Sequence, residues 1–287
     1  MTSMPTRRLG GLPVSAVGLG EMPMSLAGRP DEARSVRTIH AALEAGVTLI
    51  DTADAYCRDG SEMGHGERLV RKALAAWSGD RDRVLVATKG GHTRPGREWG
   101  LDGRPEYLRQ ACEASLRALG VEAIGLYQFH RPDPKVPFLE SVGAMAELKA
   151  AGKVRLVGLS NVSVDQIRQA REVVEVASVQ NEFSPRFRRS EGELAFCAAS
   201  RIAFLPWSPL GGIGRGGSLG QGRHRAFAEV AEAHGVSPQR VALAWELAKA
   251  PVVIPIPGSS RPETILDSAA AASLRLTADE LARLDRV

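Results

Sequence analysis

The sequence predicts one α/β domain, a single (β/α)8 barrel over residues 1–287 with an N-terminal β-hairpin and a short C-terminal helix. Three observations predict it. Short β-rich runs alternate with amphipathic stretches along the whole chain, which is the pattern of a parallel sheet with helical crossovers. Six of these runs end directly on polar or reactive residues. Val47–Ile50 ends on Asp51, Val84–Thr88 on Lys89, and Ile124–Phe129 on His130. Val154–Leu159 ends on Ser160 and Asn161, Ser178-Val179 on Gln180, and Ala203–Pro206 on Trp207 and Ser208. A closed barrel gathers strand ends into one mouth, where barrel enzymes build their sites. Lastly, no linker rich in Pro, Gly or Ser divides the 287 residues into halves, and a barrel of about 250 residues forms a single domain. An open doubly wound sheet would carry a Gly-rich fingerprint after its first strand. Here Gly18-Leu19-Gly20-Glu21-Met22-Pro23 lacks the third glycine and runs into proline.

The elements follow in order. Thr6–Val14 reads as a hairpin, because Gly10-Gly11 lies between apolar residues, and it is expected to plug the bottom of the barrel. Val17–Gly20 is the first barrel strand and Val252–Ile256 the eighth. Helical patterns cover Pro30–Ala45, Glu67–Trp77, Pro105–Leu119, Pro137–Ala151 and Ser163–Val173, then Glu191–Ser200, Arg223–His234, Pro238–Ala250, Pro262–Ala271 and Thr277–Leu284. Pro105-Glu106 and Pro262-Glu263 place proline and an acid in a first turn, Ser237 is an N-cap, and Ser163 with Gln166 makes a capping box. Gly46, Gly120, Gly152 and Gly235 stand where helices stop.

Composition narrows the class. The net charge is +4, from 37 basic and 33 acidic residues. The basic residues are dispersed apart from Arg186–Arg189, so they read as a solvated face, and neither nucleic acid nor membrane is expected as a partner. Three cysteines, Cys57, Cys112 and Cys197, lie far apart without metal-ligand spacing. They read as reduced thiols of a cytoplasmic protein with no metal. No apolar segment is long enough for a membrane span, and Met1–Pro5 lacks the apolar core of a signal peptide. No heptad seam appears, so a monomer is the default.

The chemistry concentrates at the strand ends. Asp51 ends one strand, Tyr56 follows in its loop, Lys89 ends the next strand and His130 the one after. A nearby cation lowers a tyrosine pKa from about 10. Asp51 would hold Lys89 in place, and Tyr56 would then donate a proton at neutral pH.

This set resembles the catalytic tetrad of the aldo-keto reductase family. The resemblance runs through Gly46–Tyr56, Tyr127–Pro132, Gly152–Asn161, Val179–Phe183, Pro206–Gly212 and Ile254–Ser259, in the family's order and spacing. It implies that Tyr56 protonates a carbonyl oxygen while hydride from NAD(P)H reaches the carbon. Lys89 lowers the Tyr56 pKa, Asp51 pairs with Lys89, and His130 orients the carbonyl. Ser160, Asn161 and Gln180 match positions that bind the nicotinamide carboxamide, and Trp207 the aromatic that stacks on the ring. Ser208, Leu210, Gly211 and Gly212 match the pyrophosphate loop. Gly258, Ser259, Ser260 and Arg261 match the site for the adenosine 2′-phosphate, and Asp267 a contact to adenine. The best-studied members carry Lys where Gly258 stands and Arg where Thr264 stands. Arg261 remains as the basic residue, so NADPH is favoured, with NADH left open.

Outside that set the plainer readings prevail. Cys57 is a small loop residue rather than a redox switch, and Trp77 and Trp245 are helix packing. His40, His65, His92, His224 and His234 cap elements or face solvent. Met22, Met24 and Trp99 are candidates for the substrate pocket. The Gly-rich segment Arg215–Gly222 resembles one that folds over bound cofactor, and the short C-terminus implies an open pocket. The expected function is reduction of a small-molecule aldehyde or ketone to an alcohol. A pyridoxal reductase of narrow specificity and a cofactor-sensing regulatory subunit are the alternatives.

Overall fold

Strands β1 (Thr6–Leu9) and β2 (Leu12–Ser15) pair antiparallel around Gly10-Gly11. Both glycines have positive φ, 53° and 83°, as a two-residue turn of this hand requires. The turn packs tightly, since a Cβ on Gly10 would lie 2.6 Å from Leu156 Cδ2. Leu9 and Val14 share an apolar cluster with Leu49, Ala87, Leu126 and Leu156 of the main sheet. The structure, a computed structural model, describes residues 4–212, 214 and 219–287.

The main sheet has seven parallel strands whose spatial order follows the sequence. They are β3 (Leu19–Gly20), β4 (Leu49–Asp51) and β5 (Leu85–Gly90), then, after a separate ribbon of β6 (His92–Thr93) and β7 (Gly100–Leu101), β8 (Ile124–Phe129), β9 (Val154–Ser160), β10 (Val176–Gln180) and β11 (Ala203–Phe204). The helices between and after them are α1 (Glu32–Glu44), α2 (His65–Ala76), α3 (Pro105–Leu119), α4 (Phe138–Ala150), α5 (Val164–Arg171), α6 (Glu191–Ser200), α7 (Arg225–His234), α8 (Pro238–Lys249), α9 (Pro262–Ala270) and α10 (Ala278–Asp285).

The expected eighth strand requires a correction. Val252–Ile256 is an extended segment rather than a strand, although its backbone bonds to both edges of the sheet. Phe204 N donates to Val252 O and Ile254 N to Phe204 O, each at 2.8 Å. On the other side Gly18 N donates to Pro255 O at 2.8 Å and Gly20 N to Pro257 O at 3.0 Å. Pro255 and Pro257 have no N–H to return, so a regular ladder cannot form.

Side-chain alternation along the strands sets up the site. Residues two apart share a face, so Leu49 and Asp51, Ala87 and Lys89, and Leu126 and Gln128 point the same way. Leu49, Ala87 and Leu126 form the apolar layer above the hairpin. Asp51, Lys89, Gln128 and Gln180 form a polar layer at the strands' C-terminal ends, bonded to one another. The intervening residues, such as Ile50, Tyr127, Phe129 and Val157, pack outward in the larger clusters shared with the helices. Local signals place those helices. The Ser163–Gln166 capping box opens α5, the Ser237 side chain caps α8, and Gly120 and Gly235 end α3 and α7 in left-handed conformation.

One core position breaks the pattern. Glu246 of α8 is fully buried, and neither carboxyl oxygen has a partner among the described residues. Burial pushes its pKa well above the ordinary carboxylate value. The folded state therefore keeps Glu246 protonated at pH values where the unfolded chain ionises it. Stability is lost as pH rises from the unfolded pKa, near 4.5, toward the folded one. Replacing Glu246 by Leu is expected to stabilise the fold by about 1–3 kcal/mol at neutral pH. Thermal melts of both proteins check this. The gap between them should widen with pH, and a constant gap would contradict the assignment.

Candidate active site

The polar layer converges on Lys89, which is fully buried. Its ammonium donates to Asp51 Oδ1 at 2.5 Å, to the Thr52 carbonyl oxygen at 2.8 Å and to Tyr56 Oη at 3.1 Å. Three donors thus meet three acceptors. Burial lowers the Lys89 pKa, but Asp51 and Tyr56 outweigh it and hold the ammonium above its ordinary value. Asp51 is fixed from the other side. Its Oδ2 accepts from Gln128 Nε2 at 3.0 Å and from Gln180 Nε2 at 2.8 Å.

Tyr56 departs from the expectation drawn from its cation. Lys89 does pull the phenol down, but burial is the larger effect, and Tyr56 lies above its ordinary value of 10. His130 stands edge-on to it, with ring centroids 5.8 Å apart at 78°. Burial, then Lys89, drives the His130 pKa well below the ordinary value, so this ring is neutral near pH 7. Its Nδ1 is buried without a partner among the described residues.

His92 lies elsewhere than the sequence suggests. Rather than capping an element or facing solvent, its ring packs at 89° against His130 with centroids 4.2 Å apart. Its Nδ1 bonds Gly100 O at 3.0 Å across the β6–β7 ribbon. Trp99, at the tip of that ribbon and 46% exposed, packs edge-on to His92 and lies under the Arg94 guanidinium. It therefore borders the tetrad through His92. Met22 is half-buried in the turn after β3. Met24 is not a pocket residue, because it is fully buried in the core with Leu19 and Ile39.

Three buried carboxyls around the tetrad also escaped the sequence reading. Glu21 accepts from Thr52 Oγ1 at 2.9 Å and Glu67 from Thr88 Oγ1 at 2.6 Å. Asp54 is raised well above its ordinary value by burial and then by Glu67. Asp54 was visible in the same motif as Asp51 and Tyr56; nothing in sequence separates the paired acid from the unpaired one. Cys57 is buried, and desolvation raises its thiol pKa, which fits the inert reading. His224, expected to cap an element or face solvent, is buried at the N-cap of α7. His65 bonds Ser25 Oγ at 2.8 Å.

The residues expected to hold a dinucleotide lie along one side of the same mouth. Ser160 and Gln180 are register neighbours on β9 and β10. Ser160 Oγ donates to Gln180 O at 2.8 Å, and Asn161 Nδ2 donates to His130 O at 3.0 Å. Asn161 has φ 59°, a left-handed conformation that Asn tolerates better than most residues. The Gln180 amide nitrogen is committed to Asp51, so its oxygen is the atom left for a ligand. Trp207 is half-buried, with Nε1 unpartnered among the described residues. Ser208, Gly211 and Gly212 all have positive φ, 52°, 87° and 100°. The Gly211 N–H donates to Ser208 O at 2.8 Å and closes the turn, and Leu210 anchors it by packing on the core. Residues 213 and 215–218, within or beside the segment expected to fold over cofactor, lie outside the described residues.

Two local contacts shape the adenosine end. A Cβ at Gly258 would lie 2.8 Å from Pro23 Cγ, so the turn after β3 leaves no room for the Lys found in other members. Asp267 is held by side chains of α8. It accepts from Arg240 Nη2 at 2.6 Å and from Ser237 Oγ at 2.5 Å, joining α9 to α8. Ser259 Oγ donates to Arg261 O at 3.0 Å inside its own turn. Ser260 is half-buried, and Arg261 is exposed beside the first turn of α9, where an anion is favoured. Polar strand ends, a glycine cradle and an exposed Arg together fit a phosphorylated dinucleotide.

A family model described as "Aldo/keto reductase family" matches residues 16–287. The chain is similar to the 6-dehydroglucose reductase of Novosphingobium aromaticivorans, 37% identical and covering 94% of this chain and 90% of the relative. It resembles the solved glycerol dehydrogenase of Gluconobacter oxydans with a TM-score of 0.86 and 31% identity, covering 98% of this chain and 94% of that one. An aldo-keto reductase from Klebsiella pneumoniae, solved in complex with NADPH, gives a TM-score of 0.82 and 28% identity, covering 99% and 95% of the two chains.

Proposed function

The chain belongs to the aldo/keto reductase family, and from that premise we propose that it reduces aldehydes or ketones to alcohols with NADPH, using Tyr56 as proton donor. The observation that carries this reading is the buried bond from Lys89 Nζ to Tyr56 Oη at 3.1 Å. Because Oη accepts from Lys89, the phenol keeps its own proton to give away. The raised Tyr56 pKa keeps that proton in place until a substrate oxygen gains charge. Lys89 then stabilises the tyrosinate, and Asp51, held by two amides, balances Lys89. His130, neutral, serves as a hydrogen-bond partner for the carbonyl rather than as a cation. When bound, the reduced nicotinamide supplies the hydride. The extended segment 252–258, bonded to both sheet edges, supports a closed (β/α)8 barrel, which brings these groups into one mouth.

Arg261 is assigned to the 2′-phosphate. Arg261→Ala is expected to weaken NADPH binding by about 10- to 100-fold, the value of one charge-assisted contact, and to leave NADH binding nearly unchanged. Fluorescence titration with each cofactor measures this, and equal losses for both would remove Arg261 from the phosphate site. The reading as a whole is tested by following NADPH absorbance against 4-nitrobenzaldehyde and pyridoxal. The similarity to a 6-dehydroglucose reductase and a glycerol dehydrogenase adds oxidised sugars and glycerol to the substrates worth assaying. Turnover of at least one carbonyl compound is expected; tight NADPH binding without any would favour a cofactor sensor.

A further inference from the structure

Glu21 is fully buried behind the tetrad, at the end of β3, yet the reaction described above does not use it. Its backbone N–H donates to Asp51 O at 2.9 Å. Its Oε2 accepts from Thr52 Oγ1, and the Thr52 carbonyl accepts from Lys89. Its Oε1 bonds Ser25 Oγ, which also bonds His65 Nδ1 at 2.8 Å. Gly66 makes room for this arrangement, since a Cβ there would lie 2.3 Å from Glu21 Oε2. The carboxyl is thus one residue from the Lys89–Tyr56 bond on one side. On the other it is one hydroxyl from a half-buried imidazole.

We propose that Glu21, Ser25 and His65 form a proton-transfer chain behind the tetrad, and that the charge on Glu21 sets how readily Tyr56 releases its proton. Glu21 is then a positioning residue that acts through Lys89 and Tyr56, and the proposal rests on the reading of Tyr56 as donor. The Ser25 hydroxyl has one hydrogen and two neighbours. With Glu21 ionised, Ser25 donates to it and accepts from Nδ1–H of a protonated His65. With Glu21 neutral, Glu21 donates to Ser25 and Ser25 donates to Nδ1. Passing between the two breaks the Nδ1–H and Ser25 O–H bonds and forms Ser25 O–H and Glu21 O–H bonds. One proton moves inward, and His65 is left neutral.

The surroundings decide when Glu21 is charged. Burial raises its pKa to about 7, and Ser25, Thr52 and then Lys89 hold it there against a stronger rise, with Asp51 opposing. Tyr56 feels Glu21 as a charge that raises its own pKa. His65 is lowered by burial first and by Arg29, Arg68 and Arg58, with Glu62 acting the other way. An ionised Glu21 therefore keeps Tyr56 protonated to higher pH.

The test is the pH dependence of kcat/KM for NADPH-driven reduction of 4-nitrobenzaldehyde by the full chain, for wild type, Glu21→Gln, Ser25→Ala and Tyr56→Phe. In Glu21→Gln the basic limb is expected to move down by about 0.5–1 in pH, because Tyr56 loses a neighbouring negative charge. In Ser25→Ala the carboxyl loses a donor to its ionised form, and the wild-type inflection near pH 7 should move upward. Thermal melts supply a readout without turnover. Glu21 is protonated in the fold where the unfolded chain ionises it, so wild-type stability should fall relative to Glu21→Gln as pH rises from about 4.5 to about 7, then stay parallel. Identical pH–rate profiles for wild type and Glu21→Gln overturn the proposal, as does a melting difference that does not vary with pH. No turnover in the wild type, or turnover kept in Tyr56→Phe, overturns the donor assignment instead, and the melts then still report whether Glu21 titrates within the fold.

Discussion

Exchanging Tyr56 for Phe is expected to lower kcat/KM by about 10²–10⁴-fold, the usual worth of a positioned proton donor. The substitution removes one oxygen and little else. The Phe ring can keep the edge-on packing against His130 and the buried volume of Tyr56. Lys89 loses one of its three acceptors but keeps Asp51 and the Thr52 carbonyl. Stability should therefore change little, and NADPH affinity should stay within about twofold, because none of the residues assigned to the cofactor bonds Tyr56. The loss should fall on kcat and kcat/KM together, as expected for a contact that strengthens in the transition state. Steady-state kinetics beside a cofactor titration separate these effects.

Lys89→Met should be more damaging, because it removes both chemistry and structure. Met keeps most of the stem volume but leaves Asp51 buried without its cation. Breaking a buried ion pair from one side costs about 3–5 kcal/mol. Gln128 and Gln180 still donate to Asp51 Oδ2, which places the loss toward the lower end. Turnover should fall at least as far as in Tyr56→Phe, since the tyrosinate would form with no cation beside it. Denaturant unfolding at neutral pH measures the first effect. A Lys89→Met protein as stable as wild type at neutral pH would mean that the pair is not buried as described.

These two residues were legible in sequence for a physical reason. A strand whose partners are all in the main chain has a two-residue period. A charged residue that ends an apolar run, such as Asp51 or Lys89, therefore projects where the C-terminal ends of the strands gather. Caps and stops were equally local: Ser163, Ser237 and Gly120 mark helix ends through their own backbone needs. What sequence could not show depended on distant partners. Met24 and Met22 are two residues apart and chemically alike, yet one is core and the other half-buried. His92 looked like any loop histidine until the β6–β7 ribbon folded it against His130. Asp267 matched an adenine contact by position, but Arg240, 27 residues earlier, claims it. The eighth strand failed for a reason already in the sequence, namely the two prolines in Val252–Gly258. The sign of the Tyr56 shift was missed because a cation is visible in the motif and burial is not.

In the proposed reaction Lys89 and Asp51 hold Tyr56 as the proton donor of a bound-cofactor reduction. The most direct measurement is a single turnover in which the preformed NADPH complex is mixed with 4-nitrobenzaldehyde, run in parallel on wild type and Tyr56→Phe. Equal NADPH affinity in the two proteins is expected, with rapid loss of reduced cofactor in the wild type and a rate at least about 100-fold slower in the variant. Equal rates in both proteins at equal cofactor occupancy would contradict the assignment of Tyr56 as donor.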